Sequence, residues 1–536
     1  MTKSYIRGAT LLASGMLIAK IIGAIYRIPL TNIIGAEGIG IYQMIFPVYA
    51  LLITITSSGI PTTLSRVIAE KNVTADKQSI NALFKKAVFL FLGVSVISTL
   101  LLICIAIPLS ELQGNEYVAR GYILIAPTII ISTIVATFRG YFQGYMNMRP
   151  SAIVQIVSQT IKLIAGLILA SLLIDKGIEY AVWGAISAVF ISELAALIVI
   201  IAIYLNKKKY YKDIPDLIGS DTIFSTDDRQ NLKDMISIII PITLGGIMLP
   251  FVQFSDSIMV VNLLARKGFD IVTSTSLYGI LSGPVGSLIN MPVVLTLAFA
   301  ITAVPLVSSS RVDRDIIAIK SKAEQSVKLT FAIGVPCAIG IFFLSENIMR
   351  SLYPTFTETE LALSSTLMQI SSINIILLSL MQIYTALLQA VDKAYKPFLH
   401  MLIGAIVKIV LTIILVLKMG VMGVIFANMT GYIIVALLNI YSFNQITGKY
   451  KVLVKNTSTI LLSGVIMGGV IRLVNEILSL DYWLELVIGF VLGSITYFVM
   501  ISILVVFTKE ELTNMPFSRM LLKATRLIRF WEHNYD

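Results

Sequence analysis

The chain has 536 residues, of which 57% are hydrophobic and only 13% charged, with a mean hydropathy of +0.89 and a formal net charge of +11. This composition excludes a soluble globular fold and indicates an all-α polytopic membrane protein. The surplus of lysine and arginine lies in loops between apolar spans, a sign of membrane topology rather than of nucleic-acid binding. Cys104 and Cys337 sit inside apolar runs, and His400 and His533 are the only histidines, so no metal site, cofactor or enzymatic centre is expected.

Lys3 and Arg7 precede an apolar run, as in a signal peptide, but Lys20 interrupts that run and no small-x-small site follows. A retained first helix is expected. Stretches of 20 or more mainly apolar residues suffice to span a bilayer. About fourteen occur, near 11–34, 41–65, 84–107, 118–142, 151–174, 180–205, 235–263, 276–307, 326–345, 361–390, 397–417, 420–444, 456–477 and 483–507. In the first, Lys20, Gly23, Ala24 and Arg27 fall at i, i+3, i+4 and i+7, so two cations share a face with small residues between them. A cation in a bilayer costs at least ~2.5 kcal/mol on insertion scales, which directs this face towards a bundle interior or a water-filled cavity.

With the N-terminus inside, about 28 of the 41 Lys and Arg fall in cytoplasmic segments. They include Lys207, Lys208 and Lys209, then Arg311, Arg314, Lys320 and Lys322, then Lys449, Lys451 and Lys455. Both termini are expected in the cytoplasm. The chain divides into a six-helix lobe over 1–205, a polar cytoplasmic linker over 206–233, a second six-helix lobe over 234–445, two further helices over 446–507 and a tail over 508–536. In that tail Arg519, Lys523, Arg526 and Arg529 alternate with Leu521, Leu522, Leu527, Ile528, Phe530 and Trp531, the pattern of a basic amphipathic helix on an anionic leaflet.

The two lobes repeat at an offset of about 245 residues. Ile60-Pro61 with Arg66 corresponds to Val304-Pro305 with Arg311, Gln143 with Arg149-Pro150 to Gln389 with Lys396-Pro397, and the central Lys162 to Lys408. Six spans is an even number, so the repeats are parallel, an arrangement that in transporters flanks a central substrate path. Polar, proline-broken spans occur in matching places, with Pro61 in the second and Pro284 and Pro292 in the eighth.

In the fifth span Gln155, Gln159, Lys162 and Gly166 share one helical face, and Glu193 lies at similar depth in the sixth. A Lys162–Glu193 pair that only neutralises charge is one reading of these residues, and a substrate or coupling role is the other. Asp256 could pair with Lys408 in the same way. Arg66 and Arg139, near the cytoplasmic ends of their helices, either snorkel to the interface or form a cationic rim for an anionic headgroup.

At these residues the chain resembles the polysaccharide-transporter branch of the multidrug, oligosaccharidyl-lipid and polysaccharide exporter superfamily, and within it the stage V sporulation protein B group, relatives of the lipid II flippases. The resemblance covers nearly the whole length. Its most specific pieces are Lys20-Ile21-Ile22-Gly23 with Gly35, Ile60-Pro61 with Arg66, and Arg139-Gly140-Tyr141-Phe142-Gln143-Gly144 with Pro150. It implies two six-helix lobes around a central cavity, a lipid-tail groove formed by the last two spans, and flipping of undecaprenyl-diphosphate-linked saccharide across a bacterial cytoplasmic membrane by alternating access. It matches Lys20 to a cavity arginine of the lipid II flippases. Their second first-helix arginine falls on Tyr26, and their sodium ligands fall on Lys408 and Thr412, so no sodium site is carried over.

The expected substrate-binding residues are Lys20 and Arg27, with Arg66 and Arg139 assisting. Gln155, Gln159, Lys162, Glu193, Asp256 and Lys408 are the polar or coupling set. A monomer is expected, working with membrane lipids and a lipid-linked saccharide, and cell-wall synthesis enzymes are the protein partners to consider. Two other readings stand beside it. One is a cation-coupled exporter of organic cations, which would use Glu193 and Asp256. The other is a non-transporting scaffold for cell-wall enzymes.

Overall fold

The computed structural model describes residues 2–73, 77–206, 226–312, 315–448, 452–478, 480–504 and 506–507. Among them there is no strand. In chain order the helices are α1 (Thr2–Ser57), α2 (Ile60–Val73), α3 (Lys77–Gln113), α4 (Tyr117–Gly144), α5 (Arg149–Leu173), α6 (Ile178–Leu205), α7 (Thr226–Arg266) and α8 (Ile271–Ile280). A π-helical segment, Leu281–Val285, carries Pro284. It is followed by α9 (Gly286–Val312), α10 (Ile316–Leu352), α11 (Glu358–Ser371), α12 (Ile373–Ala390), α13 (Tyr395–Met419), α14 (Met422–Thr447), α15 (Val452–Leu478) and α16 (Tyr482–Ile503).

Thirteen stretches of the described residues are long and apolar enough to cross a membrane. The first, Ser14–Asn72, has 59 residues, far more than the ~20 that one crossing needs. It is broken at Gly35, whose φ of 69° and ψ of −173° leave the helical region. The two arms of α1 on either side of Gly35 are the first two expected spans, which reconciles thirteen stretches with about fourteen crossings. Of the expected linker, 207–225 lies outside the described residues, and 226–233 forms the first turns of α7. The basic tail, 508–536, also lies outside them, as do Lys207, Lys208, Lys209, Arg314, Lys449 and Lys451.

The chain forms two compact units, Met1–Pro284 and Val285–Asp536, which part within the π-helical segment. In the first unit, small residues let helices approach backbone to backbone. The second arm of α1 crosses α8 at Gly40 and Gly279, where a methyl on either glycine would collide with a carbonyl oxygen, that of Thr275 or that of Ala36. A buried polar network stands beside this crossing. Gln113, at the end of α3, donates to the Met44 carbonyl (3.1 Å) and to Ser257 of α7 (2.8 Å), and it accepts from the Tyr122 hydroxyl (2.6 Å). The Gln113 amide thus has partners on both its nitrogen and its oxygen, as burial requires.

In the second unit one apolar core joins α9, α10, α12 and α14 around Val307, Val327, Leu387 and Phe443. The two additional helices, α15 and α16, pack on α10 through Leu344, Met467, Ile471 and Tyr497. Large apolar side chains remain bare on the outer faces of both units, among them Phe89 (81% exposed), Ile97 (68%) and Ile477 (72%). Such faces suit acyl chains rather than water.

Gly35 has open space where a side chain would go, so only its positive φ opposes substitution. Gly35→Ala is expected to cost about 1–3 kcal/mol, the penalty of placing an L-residue in a backbone region that is essentially reserved for glycine. The measurement is the thermal unfolding midpoint of purified protein in nanodiscs, and an unchanged midpoint would remove the break from the energetics of α1.

Candidate functional site

The candidate site lies within the first unit, where the first arm of α1 runs against α5. Three α5 residues spaced seven apart meet that arm, with Ala152 facing Gly15, Gln159 facing Gly23 and Gly166 facing Tyr26. A methyl on Gly15 would stand 2.8 Å from the Ala152 Cβ, and one on Gly23 would stand 3.2 Å from Oε1 of Gln159. One on Gly166 would collide with the Tyr26 hydroxyl. The absence of side chains at these points closes the seam and seats the buried Tyr26 ring.

Lys162 sits one turn from both Gln159 and Gly166. Its Nζ stands 5.8 Å from the centroid of the Tyr26 ring, within cation–π range. Arg27 follows Tyr26 in the chain, half-buried, and acts on Lys162 as one cation on another. Glu193 of α6 is within electrostatic reach of both Lys162 and Arg139 of α4.

No ion pair within 4.0 Å joins Lys162 to Glu193 among the described residues. Glu193 instead accepts hydrogen bonds from Ser158 (2.8 Å) and Ser132 (3.2 Å), which hold its carboxylate between α5 and α4. Arg139 donates a long bond to Oε1 of Gln155 (3.4 Å), and its buried Nε has no acceptor. Two cations, Arg139 and Lys162, thus share one carboxylate already occupied by two hydroxyls, and Arg27 adds a third positive charge beside Lys162. The cluster carries more positive than negative charge and leaves the Arg139 Nε without an acceptor, an environment suited to an anion with several oxygens.

The structure brings together Arg27, Arg139, Gln155, Gln159, Lys162 and Glu193, and it leaves Lys20 exposed further along the same arm of α1. Arg66 does not join them. It is exposed on α2 and paired with Glu70 at 3.0 Å. Asp256 is half-buried on α7, within electrostatic reach of Tyr278. Lys408 is buried on α13 in the second unit.

Sequence reasoning missed an aromatic series on the second arm of α1. Tyr42 and Phe46 stack at 4.7 Å, and Phe46 meets Tyr49 edge-on at 5.8 Å. Tyr42 lies within electrostatic reach of Arg27, and Tyr49 of Glu193. The i, i+4, i+7 spacing of these rings was a usable signal. Nothing in the pattern marked Ser132 and Ser158 as holders of Glu193.

A family described as polysaccharide biosynthesis protein matches residues 5–311, more than half of the chain. The chain belongs to this polysaccharide biosynthesis family. It is 24% identical over 526 residues to Stage V sporulation protein B of Bacillus subtilis (strain 168), a match that covers 96% of this chain and 98% of that protein. It is 26% identical over 496 residues to the lipid II flippase MurJ of the same strain, covering 89% of this chain and 90% of that one. A solved lipid II flippase MurJ in an inward closed conformation shares the fold, with a TM-score of 0.72, 16% identity, and coverage of 92% of this chain and 98% of that chain. An inward-facing multidrug resistance MATE family transporter matches with a TM-score of 0.60 at 15% identity, covering 83% of this chain and 94% of that chain. This member of the polysaccharide biosynthesis family is accordingly a multi-pass membrane protein that shares its fold with those solved flippase and transporter structures.

Gly166→Ala forces Tyr26 from its seat and is expected to destabilise the first unit by about 1–3 kcal/mol, the usual cost of overpacking. Tyr26→Phe in the same chain removes the hydroxyl nearest the new methyl and should recover part of the loss. Thermal midpoints of the single and double variants test this, and equal midpoints for the two would place the strain elsewhere.

Proposed function

We propose that the protein is a flippase for an undecaprenyl-diphosphate-linked saccharide, lipid II or a related cell-envelope glycolipid, moved across a bacterial cytoplasmic membrane by alternating access. The observation that carries this reading is the positive cluster of the first unit. Its one carboxylate is held by Ser132 and Ser158, and the Arg139 Nε has no acceptor. A diphosphate would supply negative charge and an acceptor for the Arg139 Nε. The forked guanidinium groups of Arg27 and Arg139 each suit two phosphate oxygens, and Lys162 acts as a point charge backed by the Tyr26 ring. Lys20, exposed on the same arm, would make the first contact.

The named flippase among the relatives supports the lipid-linked class of substrate. The distribution of lysine and arginine supports cytoplasmic termini. In that orientation the inside-negative potential favours outward movement of an anion by ~2.3 kcal/mol per charge per 100 mV. An exporter of organic cations gains nothing from this cluster, since Glu193 is occupied by hydroxyls and lies within reach of cations.

The test is translocation of labelled undecaprenyl-diphosphate-linked saccharides in liposomes holding the purified protein, with lipid II and a second glycolipid compared. Arg27→Gln combined with Lys162→Gln should lower the rate at least tenfold without loss of folded protein, and Arg66→Gln should leave it within twofold. Wild-type rates in the double variant would overturn the site. Movement of neither glycolipid by the folded wild type would overturn the flippase reading.

A further inference from the structure

A cavity of about 840 Å³ opens within the second unit, where the C-terminal ends of α10 and α15 meet the N-terminal parts of α11 and α16. It is separate from the cationic cluster and opposite to it in character. Its walls include Asn347, Ser365, Asn475 and three carboxylates, Glu346, Asp481 and Glu485, with Phe342 and Phe343 supplying apolar surface.

The polar groups there are built in rather than merely exposed. Asn347 is 4% exposed and Glu485 7%. Glu485 accepts from Nδ2 of Asn347 (2.7 Å) through one carboxylate oxygen and from the Leu480 backbone N–H (2.9 Å) through the other. Asn475 donates to Oδ1 of Asn347 (3.4 Å) and to the Phe343 carbonyl (3.3 Å). These bonds fix the carboxylate without neutralising it. The nearby cation, Arg350, is committed to Glu346 (2.9 Å) and Glu358 (2.8 Å) and lies over the Tyr482 ring at 4.9 Å. No cation stands within 4.0 Å of Glu485 among the described residues.

Two acceptors are left over. The Ser365 hydroxyl, on a side chain 8% exposed, has no hydrogen-bond partner, and neither has Oδ1 of Asn475. A buried carboxylate with no cation beside it and buried acceptors with no donor are each costly, and a cationic donor would answer both. A bare metal ion does not complete it. No three carboxylate, histidine or cysteine groups converge among the described residues, and the space is many times an ion's size. An ammonium group has three donors and a charge, which matches the one buried carboxylate, Glu485, and two neutral acceptors, while the exposed Glu346 and Asp481 add to the negative field. The aromatic walls would pack the uncharged part that bears it.

We propose that this cavity binds a primary ammonium carried on a small polar headgroup, either an aminated saccharide or an amine-bearing lipid. In the orientation proposed above it faces the outer side of the membrane, within reach of both sources. Binding here does not depend on the flippase reading, and its measurement needs no transport.

The test uses the full chain in nanodiscs and reads the thermal midpoint and equilibrium binding. Glucosamine is compared with N-acetylglucosamine in phosphatidylcholine discs, and phosphatidylethanolamine discs are compared with N-acetyl-phosphatidylethanolamine discs. A response to the free amine but not its acetylated form, in either arm, supports the site, and the responding arm names the source. Glu485→Gln keeps the size and an acceptor but removes the charge, and it should weaken the responding amine at least tenfold. If that variant does not fold, Ser365→Leu, which fills the cavity wall, should give the same loss. Equal responses to amine and acetylated forms, no response in either arm, or unaltered binding in both variants would overturn the proposal.

Discussion

Positive charge held among apolar helices has to be answered by something negative, and the first unit is arranged so that its own carboxylate is not enough. Glu193 is the counter-charge within reach of Lys162 and Arg139, yet two serine hydroxyls fix it between α4 and α5. A closed Lys162–Glu193 pair would have satisfied the helices and left nothing for a ligand. The serines convert a neutralising partner into a positioned one, whose field steadies the cations without consuming their donors.

That arrangement depends on close packing by residues that contribute almost no volume. Gly15, Gly23 and Gly166 bring α1 and α5 together, and Tyr26 fills the seat that Gly166 leaves. Tyr26 in turn gives Lys162 a ring face in place of water. Packing and charge are therefore one problem here, because the aromatic floor exists only where a side chain is missing from the opposite helix. The second unit solves a different problem in the same way, holding a carboxylate by an amide and a backbone N–H rather than by a cation.

Much of the fold was legible in the sequence because a bilayer demands long apolar runs, and their lengths and the parity of their number follow from counting. The break in α1 was legible as two spans, although Gly35 itself was noted only through resemblance. Within the site, the shared face of Gln155, Gln159, Lys162 and Gly166 followed from the 3.6-residue period. Tertiary partners did not. Which hydroxyls would hold Glu193 depends on how α4, α5 and α6 pack, and serines are common in membrane helices for many reasons. Arg66 had a local solution in Glu70, one turn further on α2, which competes with any distant role. Tyr26 stood out in the sequence only as a departure from an arginine, whereas its packing under Lys162 is visible only in three dimensions.

The positive φ at Gly35 also has a mechanical side. The second arm of α1 is locked across α8 at Gly40, while the first arm travels with α5 along a seam of small residues. A single pair of non-helical backbone torsions is thus the joint between the two arms. Lys20 lies fifteen residues from that joint, roughly 22 Å along a helix axis. A rotation of about 10° at Gly35 would carry Lys20 through roughly 4 Å at that lever length, and it would act directly on the contact between Tyr26 of the first arm and Tyr42 of the second. Lys20 thus rides on a lever whose joint is a single glycine.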